Sequence, residues 1–494
     1  MKAEEIDCTD TATAPSPQSA TPSFALRNPK LSGRDLRDLI VGGHTLVPLL
    51  DGTLVPYINL DNAASTPLAR PVKAKVDESL EWYSAVHRGA GFKSQVSSLA
   101  YEHARDIILD FVGAGRDRTC IFLRNATEAI NRCANRLTFR KGDVVLTTLM
   151  EHHSNILAWR KCTSNVQYID IDETGAPVIS DLRAKLEANK GHVRLVAVSG
   201  GSNVTGVVPD IHEIARIVHE AGALILVDAA QLAPHRPIDM GTLGAPDSID
   251  FLAMSAHKMY APLGSGVLIG PTEAFTGGTP DLVGGGTVLF VSEESVMWTE
   301  PPDSEEAGSP NVPGAIAMAA AARFLEDDLG WDWLIHHERD LTSYALAQLC
   351  EIPGLTIYGP NDPTLQHDRL GVIAFTLSNV NHYLAAAILS HEYAIGTRVG
   401  CFCAHPYLMH LFHVTQEQIH QLGEEIGQGD RRNIPGAVRI SFGFYNTRED
   451  VDAVVSAIRQ ISGGHWQGEY TQNIKTGEFL PTAGKSSPEG WFAL

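Results

Sequence analysis

Two cysteines stand one residue apart in the stretch "TRVGCFCAHP" (397–406), just after an arginine and a glycine. Cys401 and Cys403 could form a metal clip or a disulfide, or one of them could be a nucleophile. A metal clip is disfavoured, because a structural zinc site needs four ligands and one C-x-C supplies half of them. A nucleophilic cysteine must be a thiolate, which a nearby cation such as Arg398 favours. The spacing alone leaves both a nucleophile and a passive loop cysteine open.

A lysine and an aspartate each end an apolar run, Lys258 in "DFLAMSAHK" (250–258) and Asp228 in "ALILVDAAQ" (223–231). Lysines are rarely buried unless they are paired, and one at such a place can be a Schiff-base amine with a lowered pKa. A carboxylate at the end of a buried run needs a partner, because an unpaired buried charge is costly. A protonated ring nitrogen would be such a partner.

Three more polar residues follow apolar runs, and each has an ordinary structural alternative. Thr127 in "RNATEAIN" stands where a helix begins, so it could be a plain N-cap or part of a phosphate site. His152 in "MEHHSN" could stack on an aromatic ligand; it and its neighbour His153 cannot point the same way, which disfavours a metal pair. Asn203 in "GGSNVTG" could bond a ligand hydroxyl or cap a turn.

Taken together, these residues offer groups for one particular cofactor. They supply a phosphate-binding helix start, a stacking ring, an acid for a ring nitrogen and an amine for an aldehyde. Asn203 and Gln231 add amides for a phenolic oxygen. These groups match pyridoxal phosphate, which uses a lysine Schiff base and an acidic partner for its pyridinium nitrogen.

The elements that must position these residues are apolar strands alternating with amphipathic helices. "DVVLTTLM" precedes "EHHSNILAWRKC", and "VRLVAVSG" precedes "DIHEIARIVHEAG". This alternation predicts βαβ units and a parallel sheet covered by helices on both faces. Such sheets bind ligands beyond the C-terminal ends of their strands, which is where the polar residues stand.

The chain is long enough for two compact units, and a boundary is expected near residues 300–315. A second unit would begin with a helix near 315–327 and carry strands within 370–378 and 437–445. The predicted divisions are a disordered tail (1–24), an N-terminal segment packing on the small domain (25–55), a large cofactor-binding domain (56–305), a small domain (306–465) and a C-terminal tail (466–494).

Composition excludes several classes of function. A formal net charge of −20 argues against nucleic acid or an anionic membrane as the main partner. No apolar stretch approaches the ~20 residues of a membrane span, and the acidic N-terminus has no Sec-type signal. The 7 cysteines are scattered and form no disulfide framework, as in a reducing cytosol. We therefore expect a cytoplasmic protein.

Stretches in a fixed order resemble the class V aminotransferase family of fold-type I pyridoxal-phosphate enzymes, and within it the cysteine desulfurase/selenocysteine lyase group. They run from "YINLDNAASTP" (57–67) through "MEHHSNI", "SAHKMYAPLGSGVL" and "RVGCFCAHP" to "VRISFGFYNTREDVD" (438–452). The resemblance implies an α/β fold. It consists of a large domain with a mostly parallel sheet between helices and a smaller α+β C-terminal domain.

The resemblance also implies a role for each cofactor residue. Lys258 would form the Schiff base and move the Cα proton, His152 would stack on the ring and Asp228 would keep its nitrogen protonated. The other implied cofactor contacts are Asn203 and Gln231 at the phenolic oxygen, Thr127, Ala126, Ser255 and His257 at the phosphate, and Thr287 and Ser309, which lie in segments that the partner subunit contributes in the family's homodimers.

Substrate contacts are carried over in the same way. Arg439 matches the arginine that clamps the substrate carboxylate, a task that suits a guanidinium fork. His87 and Arg88 in "VHRG" and Arg398 are expected near the substrate.

Cys403 aligns with the desulfurase nucleophile, and Gly400 would let its loop move. Cys401 departs from the desulfurases, and "GCFC" is similar to the molybdenum-cofactor sulfurases. It could accept the persulfide, form a disulfide or be passive.

The implied reaction is sulfur transfer from L-cysteine, or selenium transfer from selenocysteine, to Cys403 with release of L-alanine. A sulfur-acceptor protein and a homodimer are implied partners, and no metal is expected. A C–S β-lyase, an epimerase or an aminotransferase on the same cofactor is the first alternative, because fold and cofactor do not fix the reaction. A catalytically silent scaffold is the second.

Overall fold

The structure is a computed structural model that describes residues 31, 35–87, 89–366, 368–484 and 490–492. The predicted tail 1–24 lies outside the described residues. Within them, no helix combines the length and the apolar character that crossing a membrane requires.

The strands are named here in chain order. They are β1 Leu46–Pro48, β2 Leu54–Pro56, β3 Ile58–Asn59, β4 Arg118–Leu123, β5 Val144–Thr148, β6 Val166–Ile169, β7 Val193–Ser199, β8 Leu224–Asp228, β9 Phe251–Ser255, β10 Gly266–Pro271, β11 Val288–Val291, β12 Val296–Trp298, β13 Leu355–Tyr358, β14 Val372–Leu377, β15 Ile395–Gly396, β16 Arg398–Gly400, β17 Ala437–Ser441, β18 Tyr470–Gln472 and β19 Phe479–Pro481.

The α-helices follow the same order. They are α1 Arg70–Trp82, α2 Phe92–Phe111, α3 Ala126–Arg136, α4 Ser154–Cys162, α5 Ile179–Ala188, α6 Ile211–Glu220, α7 Thr272–Phe275, α8 Val312–Arg323, α9 Trp331–Leu349, α10 His382–Tyr393, α11 His405–Leu411, α12 Gln416–Gly427 and α13 Arg448–Ser462; a π-helical segment, Phe324–Leu329, continues α8.

A seven-stranded sheet in the order β4-β10-β9-β8-β7-β5-β6 forms the centre of the larger unit. Only β10 runs against its neighbours, so the sheet is mostly parallel. Along β7, Val196 and Val198 pack into one hydrophobic core, whereas Leu195 and Ala197 pack into another on the opposite face. Side chains alternate across a strand, so both faces are covered, which confirms the predicted α/β architecture.

A four-stranded antiparallel sheet in the order β13-β14-β17-β16 forms the smaller unit. Its inner face packs against α9, α10 and α13 in a core that includes Ile373, Phe375, Leu341, Ile388 and Val454. This unit brings β16 and β17, and the loop after β16, to the edge of the larger sheet.

Helix α8 lies elsewhere than expected for the start of the smaller unit. Its residues Ala317, Met318 and Ala321 share the core of the larger unit with Val76 of α1 and Ile108 of α2. A helix that is apolar nearly all round must be buried, but that property does not tell which unit buries it. The packing favours a boundary nearer Gly330, and the division into domains stays a prediction.

The described parts of both terminal segments lie on α10. The backbone N–H of Leu50, between β1 and β2, donates to His391 O at 3.0 Å. The Tyr470 hydroxyl of β18 donates to Glu392 at 3.0 Å, next to His391 on the same helix. These contacts favour the predicted packing of the N-terminal segment on the smaller unit.

Candidate active site

A cavity of about 430 Å³ opens where the C-terminal ends of β7, β8 and β9 meet the smaller unit. Most of the predicted site residues line it. They are Ala126, Thr127, His152, Asn203, Asp228, Gln231, Ser255, His257, Lys258, Arg398, Cys403 and Arg439.

Lys258 and Asp228 lie on this cavity at the ends of neighbouring strands. Burial lowers the pKa of the Lys258 amine to about 8, although the charge of Asp228 opposes that shift. Burial raises the pKa of Asp228, against a hydrogen bond of 3.0 Å from the Ala230 N–H. The amine is therefore partly neutral near neutral pH, and the buried carboxylate would be stabilised by a further cation.

His152 lies at the turn between β5 and α4, and its ring is neutral. The Ser154 N–H donates to its Nδ1 at 3.2 Å, so Nδ1 is an acceptor and the ring proton is on Nε2. Burial, followed by the charge of Lys258, lowers the pKa of His152 to about 4. A neutral imidazole on the cavity wall suits stacking on an aromatic ring.

The start of α3 differs in one detail from the prediction for Thr127. The N-cap is Asn125, whose Oδ1 accepts from the Glu128 N–H at 2.9 Å, and Thr127 is the second residue of the helix. The N-cap alternative for Thr127 placed the cap two residues too late, because Asn and Thr are both good caps. The Ala126 N–H donates to Ser255 Oγ at 2.8 Å. Two hydroxyls therefore flank a helix N-terminus, an arrangement that favours phosphate.

The two amides predicted at a phenolic oxygen have different partners. Gln231 Nε2 donates to Ala63 O at 2.7 Å, while its buried Oε1 has no hydrogen-bond partner among the described residues. Asn203 Nδ2 instead donates to Phe402 O at 2.8 Å. Asn203 therefore holds the cysteine loop, and the open amide oxygen on the cavity belongs to Gln231.

Asp61, which sequence reasoning missed, joins the two arginines of the cavity. Its carboxylate accepts from Arg439 Nη2 at 3.0 Å and lies 3.2 Å from Arg398 Nε. Arg439 also donates to Asn203 O at 2.8 Å. Burial lowers the pKa of Arg439 to about 10, and Asp61 opposes that shift. Only the position of Asp61 in "NLDNAAS" could have drawn attention to it.

The two cysteines of the loop have opposite environments. Cys403 is exposed on the cavity rim, whereas Cys401 is buried and its thiol donates to Pro435 O at 2.9 Å. Burial raises the pKa of Cys401 to about 12, so it is a thiol at neutral pH. The described cysteines are all free. This environment favours a passive Cys401.

Glu151 is a second residue that sequence reasoning missed. Its fully buried carboxylate accepts from Thr148 Oγ1 at 2.6 Å, from Asn155 Nδ2 at 2.7 Å and from Ser199 Oγ at 2.6 Å. Burial raises its pKa to about 7. Glu151 connects the turn that carries His152 to the end of β7. In the sequence it stands beside two histidines, and nothing in that pattern indicates this role.

A second cavity, of about 590 Å³, contains His87 and Ser309 together with Gly285 and Gly286. The neighbouring Thr287 is fully buried, and its hydroxyl donates to Gly284 O at 2.8 Å. The structure therefore does not bring His87, Thr287 and Ser309 to the cavity of Lys258. Arg88 lies outside the described residues.

Within the part of the chain that the structure describes, no group of three or more His, Cys, Asp or Glu side chains is arranged to hold a metal ion.

Comparisons with known proteins agree with this geometry. A probable cysteine desulfurase of Halalkalibacterium halodurans is 34% identical over 425 residues, which is 84% of this chain and 96% of that protein. A cysteine desulfurase of Haloferax volcanii is 34% identical over 85% of this chain and 92% of its own length. The apo structure of a cysteine desulfurase from Thermococcus onnurineus NA1 superposes with a TM-score of 0.72 at 32% identity, covering 83% of this chain and 95% of that one.

The family match extends through both units and every segment that lines the cavity. The aminotransferase class-V family matches residues 58–454. The chain therefore belongs to the class V aminotransferase family.

Proposed function

We propose that the chain is a pyridoxal-phosphate-dependent cysteine desulfurase that converts L-cysteine and the Cys403 thiol into L-alanine and a Cys403 persulfide. The observation that carries the proposal is one cavity that joins Lys258, Asp228 and His152 to an exposed cysteine on its rim. The names of the relatives at 34% identity support the same reaction.

The residues on the cavity fit the cofactor. A buried amide oxygen of Gln231 without a partner among the described residues, and a buried Asp228 carboxylate, would both gain from a bound polar ring. Lys258 would bind its aldehyde, Asp228 its ring nitrogen, and Thr127 and Ser255 its phosphate. When bound, the cofactor withdraws electron density from the substrate α-carbon.

The chain's own residues would carry out the remaining work. Arg439 would bind the substrate carboxylate, and Lys258 would hold and move the proton at the substrate α-carbon. The Cys403 thiolate would attack the substrate sulfur, so that an S–S bond forms as the C–S bond breaks. The three-carbon product takes up a proton and leaves as alanine. Sulfur moves between two carbon skeletons, so no outside oxidant is needed.

A homodimer completes the proposal. The segments of Thr287 and Ser309 lie away from Lys258 in their own subunit, as expected for segments that serve the partner's cavity. The β11–β12 hairpin beside Thr287 is strongly exposed, with Leu289 at 68% and Phe290 at 56%. Exposed apolar surface of this kind marks association sites, and a second copy would cover it.

The physiological acceptor of the persulfide sulfur stays a prediction, as do selenocysteine as a substrate and a cytoplasmic location. The buried thiol of Cys401 argues against its acting as an acceptor without a movement of the loop.

The test is a product assay. Cofactor-loaded protein is incubated with L-cysteine and a thiol reductant, and alanine, pyruvate and sulfide are measured. Alanine with sulfide is expected, and both should be lost in Cys403→Ser. The matched control is Cys350→Ser, an exposed cysteine outside the cavity, which should keep full activity. Pyruvate that survives Cys403→Ser would make the protein a C–S β-lyase and refute the proposal.

A further inference from the structure

His153 contacts the loop of Cys403 at two points. Its backbone N–H donates to Cys403 O at 2.7 Å. Its ring Nε2 lies 3.1 Å from both the backbone N and the ring Nδ1 of His405, which begins α11 directly after the loop. The two imidazoles are stacked with centroids 4.9 Å apart and planes 5° from parallel. His153, in the turn between β5 and α4, therefore contacts the loop at Cys403 and again at His405, where the loop ends.

The ring contact fixes the protonation state of His153. Because the His405 N–H donates to Nε2, that nitrogen must carry a lone pair, and the ring proton is on Nδ1. Protonation would make Nε2 a donor, which ends its bond from the His405 backbone N–H but lets it donate to His405 Nδ1, 3.1 Å away. Burial lowers the pKa of His153, assisted by His405 and Arg160, so the ring is neutral near neutral pH. His152, whose ring centroid is 6.3 Å away, is the other titratable neighbour.

The loop needs outside support for its backbone conformation. Phe402 has φ +51° and Cys403 has φ +55°, a left-handed region that residues with a side chain rarely adopt. Both carbonyls of this strained pair are bonded, Phe402 O by Asn203 and Cys403 O by His153. Asn203 and His153 both belong to the larger unit, so these two bonds tie the strained pair to that unit.

We infer that His153, through its contact with His405 and its backbone bond to Cys403, is a positioning residue that fixes Cys403 on the rim of the cavity. The inference deepens the proposed function, since the loop it holds carries the proposed nucleophile. It does not depend on what Cys403 transfers.

Two substitutions test whether the ring acceptor of His153 positions the loop. His153→Phe keeps a ring for stacking and the backbone bond to Cys403, but removes the acceptor for His405. His153→Gln supplies an amide oxygen that can accept from His405 and does not titrate. Both variants and the original protein are used in the cofactor-loaded form. The absorbance of the bound cofactor first shows that the cavity around Lys258 is intact in each.

The readout is the rate at which iodoacetamide alkylates Cys403, followed by mass spectrometry of its peptide. Taking the ratio of variant to original protein removes the titration of the thiol itself. At about pH 8, His153→Phe should react about 3-fold to 10-fold faster, the effect of one lost hydrogen bond. His153→Gln, which keeps an acceptor for His405, should match the original protein.

Alkylation of Cys350 in the same digests is the internal control and should not change with either variant. A ratio near one for His153→Phe, or a ratio for His153→Gln as high as that for His153→Phe, would overturn the inference. Failure of the desulfurase reaction would leave this readout unaffected, because alkylation needs only the thiol. If the proposed function also holds, His153→Phe should lower kcat for alanine formation with little change in KM, and His153→Gln should restore it.

Discussion

Lys258 combines a lowered pKa with a place next to a carboxylate, and this gives its chemistry a defined pH dependence. Only the neutral amine can react with an aldehyde. With a pKa of about 8, the neutral fraction rises as the pH rises through that value. Rebinding of pyridoxal phosphate to cofactor-free protein should therefore speed up through about pH 8 and then level off. Absorbance of the bound cofactor measures the rate, and Lys258→Ala should show no such step.

The same shift has a consequence for stability, with a definite sign. Between about pH 8 and the ordinary lysine pKa of 10.5, the unfolded chain binds more protons at Lys258 than the folded chain does. The contribution of Lys258 to the free energy of unfolding therefore rises with pH in that window.

Arg439 and Arg398 share Asp61 but differ in burial, so the same substitution should affect them differently. Arg439→Lys keeps the charge and removes the guanidinium fork, and we expect the KM for L-cysteine to rise about tenfold, the cost of one charge-assisted hydrogen bond. Arg398, with a side chain 49% exposed, forms a solvated ion pair, and Arg398→Lys should change KM little. Steady-state kinetics compare the two. An equal change in both would contradict the assignment of Arg439 as the carboxylate clamp.

Residue types at strand ends could be predicted from the sequence, but their partners could not. Lys258, Asp228 and His152 follow apolar runs, and that pattern was enough to bring them to one cavity. Asp61 reaches Arg439 across 378 positions of chain, and no local pattern reports such a pair. Glu151 bonds groups on β5, α4 and β7, so its role also depends on tertiary structure.

At the level of elements, apolar runs predicted the buried strands, but not every direction. β10 runs antiparallel to both β4 and β9, whereas a fully apolar run carries no sign of its orientation. The neighbours of helix α8 could not be predicted for a related reason, since small apolar residues indicate burial without naming the partner. The alternation that favours parallel strands held for the rest of the large sheet.

The start of α3 offers a direct test of the cap assignment. Asn125→Ala removes the side chain that accepts from Glu128 and should lower the free energy of unfolding by about 1 kcal/mol. Urea unfolding of the cofactor-free protein measures the change. Thr127→Ala, two residues on, is the matched control and should cost less. The reverse order of the two variants would restore Thr127 as the cap.

At the scale of the whole molecule, Glu338 of α9 links the two units. Its buried carboxylate lies 2.8 Å from His235 Nδ1 and 2.6 Å from Arg236 Nη1, and accepts from the Gly371 N–H at 2.8 Å. His235 and Arg236 follow β8 of the larger unit, whereas Gly371 precedes β14 of the smaller unit. The positive charges of His235 and Arg236 hold the pKa of Glu338 at about 2, although burial opposes them.

Glu338→Gln should destabilise the assembly of the two units, because it leaves Arg236 with one fewer buried countercharge. We expect a loss of about 3 kcal/mol in the free energy of unfolding, the cost of breaking a buried ion pair. The exposed pair of Arg448 with Asp340 is the control, and Asp340→Asn should change stability by less than about 1 kcal/mol. Urea unfolding measures both.

The pH dependence of this link also has a definite sign. The carboxylate of Glu338 has a folded pKa below its ordinary value of 4.5, so its contribution is complete above that value. It is lost as the pH falls from about 4.5 towards 2. The Glu338→Gln variant should have a lower free energy of unfolding above pH 4.5. That free energy should fall less than in the original protein as the pH is lowered through this range.

The different exposure of Cys403 and Cys401 determines how the loop reacts with a peroxide. Cys403 is accessible and would be oxidised first, to a sulfenic acid. The neighbouring thiol that could resolve it as a disulfide is turned away, bonded to Pro435 O and held protonated. Because Cys401 cannot resolve it in this arrangement, further oxidation of Cys403 to the sulfinic acid is open, and that step is irreversible without a dedicated repair enzyme. The loop that presents the sulfur for transfer therefore leaves it without a local safeguard against overoxidation.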